Sequence, residues 1–369
     1  MKKQSMAIGA VAAAALMMLA AGAQASTSYY NLRGEASLDT SSMTPLIIAG
    51  NPPDSPSNRI DPNLTTSPWA GVVSLNIRYS GSSFICSGAM ISPIHVLTAA
   101  HCVDTTDFGD VIDITQPGND VRVVFNTQAA PGAPNTFTLA TATAVTMHPD
   151  YQGFGPCPSG VAGFCLNDDL AIITLPAGSV PSWAPVYSVG YLDNSAPQTM
   201  VGFGTSGTGT TGGTVSPSFF IKRVGSNYSD VFDLDDEQNF TGPVEVWQSD
   251  FDGNGIDTHC TLFSVCSPIL ANDVETSLAG GDSGGPSFQQ VGSQWVLVGN
   301  NTYGTRFDAS QISSTFGTGS GGMVAAAYIP WMIEATNGAV NVVPEPGTYA
   351  LMGLGLLAIG AAARRRRAD

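Results

Sequence analysis

The chain has 369 residues, with 42 glycines, 24 prolines and only 11% charged residues, a composition that suits many short strands and turns and excludes a helix bundle. The formal net charge is −16, and Lys2, Lys3 and arginines 364–367 at the two ends supply much of the little positive charge there is. The body of the chain therefore lacks the basic face that nucleic-acid binding requires.

Residues 1–25 read as a secretory signal. Lys2 and Lys3 form its basic end, residues 6–20 its apolar core, and Ala23-Gln24-Ala25 a small-residue exit. That exit argues against the alternative, a transmembrane anchor. Residues 26–59 are polar, with Pro52, Pro53 and Pro56 near their end, and predict a propeptide or loose arm. Apolar or alternating runs over 72–77, 84–91, 121–125 and 137–145 predict strands. Residues 152–167 predict a long loop containing Cys157 and Cys165, and residues 205–217 a Gly/Thr/Ser-rich loop. The latter is no phosphate cradle, since neither a lysine nor a helix signal accompanies it.

Residues 230–257 are acidic. Within them Asp250-Phe251-Asp252-Gly253-Asn254-Gly255 opens like a calcium loop, with candidate oxygen ligands Asp250, Asp252 and Asn254. The twelfth position is Thr261 where such a loop closes with Glu, so an acidic turn is the first expectation and no metal is required. Six cysteines allow fifteen pairings. Few histidines and the lack of Cys-x-x-Cys argue against zinc. Gly280-Gly281-Asp282-Ser283-Gly284-Gly285-Pro286 surrounds one hydroxyl with small residues. A serine needs a base and oxyanion donors to act as a nucleophile. Taken alone, this stretch is equally a Gly-rich turn.

Thr98-Ala99-Ala100-His101-Cys102, Asp169-Leu170-Ala171-Ile172-Ile173 and the Ser283 segment, in that order, together resemble the trypsin/chymotrypsin-like serine endopeptidases. The resemblance covers about 60–338. It implies an all-β fold of two six-stranded antiparallel β-barrels, about 60–180 and 186–338, with a short C-terminal helix near Ala327 to Ile333. It further implies Ser283 as nucleophile, His101 as general base, Asp169 as its orienting acid, and the amides of Gly281 and Ser283 as oxyanion hole. No cofactor is implied. Asp168 is expected to face solvent or cap the turn. His148, in His148-Pro149-Asp150-Tyr151, is expected to be structural, and His95 to sit in a turn.

Proximity and the family pattern favour disulfides Cys86–Cys102, Cys157–Cys165 and Cys260–Cys266. The family is activated when cleavage frees an Ile or Val amino terminus that pairs with the acid before the nucleophile, here Asp282. Ile60 is the expected new terminus; Ile48-Ala49-Gly50 resembles that segment too but lies further from the first strand. Ser277, six positions before Ser283, implies an uncharged pocket floor that disfavours Lys and Arg. Thr302, Tyr303 and Gly304 imply the strand that binds substrate backbone, with Gly304 leaving the pocket mouth open to apolar or aromatic side chains. The 152–167 loop is either a groove wall or an ordinary surface loop.

Val343-Pro344-Glu345-Pro346-Gly347, an apolar stretch over 349–363 and the four arginines resemble the PEP-CTERM sorting signal of Gram-negative bacteria. That implies a sorting segment over 339–369, transient membrane insertion, an exosortase-type partner, and release to the cell surface or extracellular matrix. The whole implies an exported monomeric endopeptidase acting on protein or peptide substrates. A catalytically silent matrix-binding homologue and an esterase on the same scaffold are the rival expectations.

Overall fold

The computed structural model describes residues 47–161 and 165–344. The expected signal segment, the first part of the 26–59 arm, the apolar stretch 349–363 and the arginines lie outside them. No helix among the described residues is long and apolar enough to cross a membrane.

Nineteen strands run through the described chain. In the first half, after the short β1 (Ile60–Asp61), come β2 (Val72–Tyr79), β3 (Ser82–Met90), β4 (His95–Thr98), β5 (Asp120–Thr127), β6 (Thr136–Thr141), β7 (Ala144–Met147) and β8 (Ala171–Thr174). Alternation explains β2: Val73, Leu75 and Ile77 point into one core while Asn76 and Arg78 face outward. Strands β2 to β8 form one antiparallel sheet in the order β6-β5-β2-β3-β4-β8-β7. Its two edges are consecutive in the chain. Ala142 N–H donates to Val121 O, beyond which Thr143 N–H donates to Thr174 O, so residues 136–147 are one bent strand that closes the sheet into a six-stranded barrel. Closure removes both exposed edges.

The second half holds β9 (Ser188–Val189), β10 (Gln198–Gly202), β11 (Ser206–Thr208), β12 (Gly212–Val215), β13 (Lys222–Asn227), β14 (Val231–Leu234) and β15 (Val244–Asp250). After helix α1 (Thr258–Phe263) follow β16 (Pro286–Val291), β17 (Gln294–Asn300), β18 (Tyr303–Thr305), β19 (Gly319–Met323) and helix α2 (Ile329–Ala335). One sheet runs β1-β13-β10-β16-β17-β9 and another β14-β15-β19-β18. β13 leads directly into β14, and β17 into β18, so two bent strands join the sheets into a second six-stranded barrel. The expected double-barrel, all-β fold is therefore present.

One core fills the first barrel around Leu75, Val123, Phe125 and Ile173. Another spans both barrels, bringing Leu97, Leu170 and Ile172 together with Phe288, Leu297, Tyr303 and Tyr328. This shared core fixes the barrels against each other. All three expected disulfides are formed.

Three placements differ from the sequence reading. Residues 47–59 are no loose arm. Ile47, Ile48 and Ala49 are buried, and the buried Arg59 pairs with Asp54 and donates to the carbonyls of Asn272, Val274 and Glu275. The domain also runs past 338, because Val343 N–H donates to Val189 O and Val189 N–H to Asn341 O. His95 begins strand β4, buried, with its Nδ1 2.7 Å from Ser92 Oγ. Finally, the aromatics flanking and within α2 pack into the shared core and also reach the first barrel: Tyr328 and Trp331 both lie edge-on against His148.

Candidate active site

Strand pairing brings His101 and Asp169 together. β4 and β8 are antiparallel with Thr98 opposite Ala171, so the residues just beyond β4 and just before β8 emerge at the same edge. Asp169, fully buried, accepts twice from His101: the backbone N–H donates to Oδ1 at 2.8 Å and ring Nδ1 lies 2.8 Å from Oδ2. A carboxylate bonded to both amide and ring fixes the imidazole orientation and leaves Nε2 as the proton acceptor. The ring is 17% exposed. Asn300 of the second barrel donates from Nδ2 to the Asp169 carbonyl at 3.1 Å. Sequence reasoning passed over Asn300, since an amide in a strand carries no signal of its own.

Ser283 precedes β16 and arrives from the second barrel. Ser87 of β3 donates its N–H to Ser283 O at 2.8 Å and its hydroxyl to Gly281 O at 2.8 Å. Cys102 Sγ lies 3.9 Å from His101 Nε2 and 3.7 Å from Ser283 O. The Cys86–Cys102 disulfide therefore packs against both the His101 and the Ser283 segments. Ser283 Oγ makes no hydrogen bond to His101 in this resting arrangement, a contact that commonly tightens only with substrate bound. Gly281 has φ +102°, open to glycine. Among the described residues the amides of Gly281 and Ser283 donate to no acceptor, while those of Asp282, Gly284 and Gly285 all do. Two unspent donors beside the candidate nucleophile are what an oxyanion requires.

The expected activation residue is corrected. Ile60 lies in β1 opposite Arg223, 41% exposed, and its edge-strand pairing keeps it from Asp282. The residue that reaches Asp282 is Ile47, whose backbone amide hydrogen-bonds the carboxyl. Ile47 is 1% exposed. Its neighbour Ile48 donates to Ser277 O at 3.1 Å, and Thr276 Oγ1 donates to Ile48 O at 2.6 Å. Asp282 also accepts from Gly204 N–H at 2.9 Å. Burial pushes its carboxyl up to about 7, against the lowering effect of Gly204, Arg223 and Ile47. Ile47 was missed because chain distance to the first strand favoured Ile60.

The expected pocket residues are buried or partly buried. Ser277 is buried with its Oγ unpartnered. Thr302 donates its N–H to Gly321 O, and Tyr303 is wholly buried in the shared core, so its ring is a support rather than a groove surface. Gly304 pairs with Ser320, and a Cβ there would meet nothing closer than Gly319 O at 3.8 Å. Ser320, not singled out in the sequence, adds a second buried, unpartnered hydroxyl. Phe154 packs on the His101 ring at 5.3 Å, so the 152–167 loop does border the site.

Asp168 is corrected as well. It is buried, with its N–H bonded to Tyr328 Oη at 3.0 Å and Oδ1 3.2 Å from His148 Nδ1. Burial, with Glu245, Glu237, Asp236 and Asp150 nearby, pushes its carboxyl up to about 9. Asn254, the third expected calcium-loop residue, is exposed, and its side-chain oxygen accepts from Asn51.

Residues 61–227 match the Trypsin family model, and residues 342–367 match the model of the PEP-CTERM protein-sorting motif. Brachyurin of Leptuca pugilator is 31% identical over 135 residues, 37% of this chain. The match spans about half that relative's length, 47%. The trypsin-like resemblance and the sorting segment are thereby borne out. The Trypsin match includes His101 and Asp169 and stops before Ser283, so the nucleophile rests on its motif and its surroundings.

Proposed function

We propose that the chain is an exported serine endopeptidase. Ser283 attacks the peptide carbonyl, His101 Nε2 takes the hydroxyl proton and returns it to the leaving amine, and water then hydrolyses the acyl-enzyme by the same path reversed. Asp169 holds the tautomer and stabilises the imidazolium. The Gly281 and Ser283 amides receive the oxyanion. The observation that carries this reading is the pairing of the two-point Asp169–His101 contact with two idle amides at Ser283.

Activation follows from the same geometry. Cleavage between Leu46 and Ile47 frees an ammonium where the Ile47 amide now meets Asp282. The charge pair then holds the 280–284 turn with its amides facing the substrate. We assign Ser277 and Ser320, whose buried hydroxyls have no partner, to a neutral pocket floor, a reading that favours apolar or aromatic side chains before the scissile bond over Lys or Arg. Export through residues 1–25 and exosortase-type processing near Pro344 place the enzyme at the cell surface or beyond. Peptide hydrolysis by the wild type and by Ser283→Ala tests the core of the proposal. Full activity in the variant would overturn it.

A further inference from the structure

The acidic stretch before the pocket is not a solvated turn. Asp230, Asp250, Asp252 and Glu275 are all buried, and Asp257 is partly so. Carboxylate oxygens of Asp250, Asp252 and Asp257 lie within 4.8 Å of one another, a spread one calcium ion can bridge at ligand distances of about 2.4 Å. Each is anchored nearby. Asp257 accepts from Cys260 N–H at 2.8 Å through Oδ1, Asp250 accepts from His259 N–H at 2.6 Å through Oδ2, and Asp252 N–H donates to Glu275 Oε1 at 3.4 Å.

Asp252 is 4% exposed, and its Oδ1 is buried with no hydrogen-bond partner. Asp230 Oδ1 is in the same position. Among the described residues no Lys or Arg pairs with any of these five acids. Arg59, the nearest guanidinium to Glu275, is taken up by Asp54 and three backbone carbonyls. Buried carboxylates persist when paired or when they coordinate a metal. His259 does not supply the missing charge for all of them. Its Nδ1 lies 3.0 Å from Asp230 Oδ2 and 3.4 Å from Asp250 Oδ1, and pairs with none of Asp252, Asp257 and Glu275.

We propose that Asp250, Asp252 and Asp257 bind one calcium ion, with Asp230 and Glu275 as flanking carboxylates. An all-oxygen, strongly anionic donor set in a glycine-containing loop suits a hard cation over a thiophilic or imidazole-seeking one. Glu275 fills the part of the closing acid that Thr261 cannot. It comes from a distant segment, two residues before the pocket floor Ser277. The ion therefore fastens the 250–257 loop to the segment that carries the floor. This inference does not depend on peptidase activity.

The test is calorimetric titration of the purified, chelator-stripped protein with calcium chloride, with thermal melting in parallel and with magnesium and zinc as comparison ions. The expected result is one calcium per chain, a higher melting temperature with calcium, and at least about a tenfold loss of affinity in Asp252→Asn and in Asp257→Asn. Without calcium, Asp252→Asn should melt no lower than the wild type, because the carboxyl it replaces has a buried Oδ1 with no hydrogen-bond partner to lose. No binding at about 10 mM calcium, well above the affinities of weak extracellular modules, would overturn the proposal. So would zinc binding in place of calcium, or calcium binding unchanged in both variants.

Discussion

Cutting the chain before Ile47 should change the pH dependence of its stability. Asp282 is wholly buried, and its carboxyl is pushed up to about 7 from an ordinary 3.8. A raised acid pKa means the folded chain binds that proton more tightly than the unfolded chain. The uncut fold therefore loses stability as pH rises from about 4 to about 7, by about 4 kcal/mol in all. A new ammonium about 4 Å from the carboxylate, at an effective dielectric near 20, contributes about 4 kcal/mol, enough to offset that loss. The amine's own pKa rises on pairing, so its contribution is present at neutral pH and lost as pH climbs through the raised value. Replacing residues 42–46 with an enteropeptidase site lets one preparation be compared before and after cutting. At pH 7.5 the cut form should melt higher by roughly 6–10 °C, and the gap should narrow toward pH 4. A gap that is absent, or independent of pH, would refute the assignment of Ile47 to Asp282.

Asp169→Asn should leave the fold intact and lower kcat about 10⁴-fold, measured on a chromogenic peptide; a loss under about tenfold would remove Asp169 from the proton path. Gly202→Ala places a Cβ 1.9 Å from Asp282 Oδ1, so it should cost roughly 1–3 kcal/mol in denaturant unfolding and depress activity; a neutral result would mean the turn shifts freely. Ser277→Asp should move cleavage preference toward Lys and Arg in a peptide library. An unchanged profile would mean Ser277 lies outside the pocket.

Legibility in the sequence followed locality. The triad segments were readable because each carries its signal within a few neighbours, as in Thr98-Ala99-Ala100-His101-Cys102. The barrels were readable because their strands alternate, as β2 does with Val73, Leu75 and Ile77. What was hidden depends on contacts distant in sequence. Ile47 meets Asp282 across more than two hundred residues, and Asp282 chooses its partner by seating, not by spacing. The buried acidic cluster looked like a solvated turn because Glu275, which accepts from Asp252 N–H, comes from another segment. Asp168 looked like a solvent-facing neighbour of Asp169, yet its positive φ of 66° turns it inward toward His148.

The most direct test of the peptidase reading is intact mass and amino-terminal sequencing of the exported protein after exposure to a fluorophosphonate probe. A chain beginning at Ile47 with one probe on Ser283 is the expected result. A chain beginning at Ile47 that stays unlabelled would contradict it, leaving a protein that keeps the triad without using it.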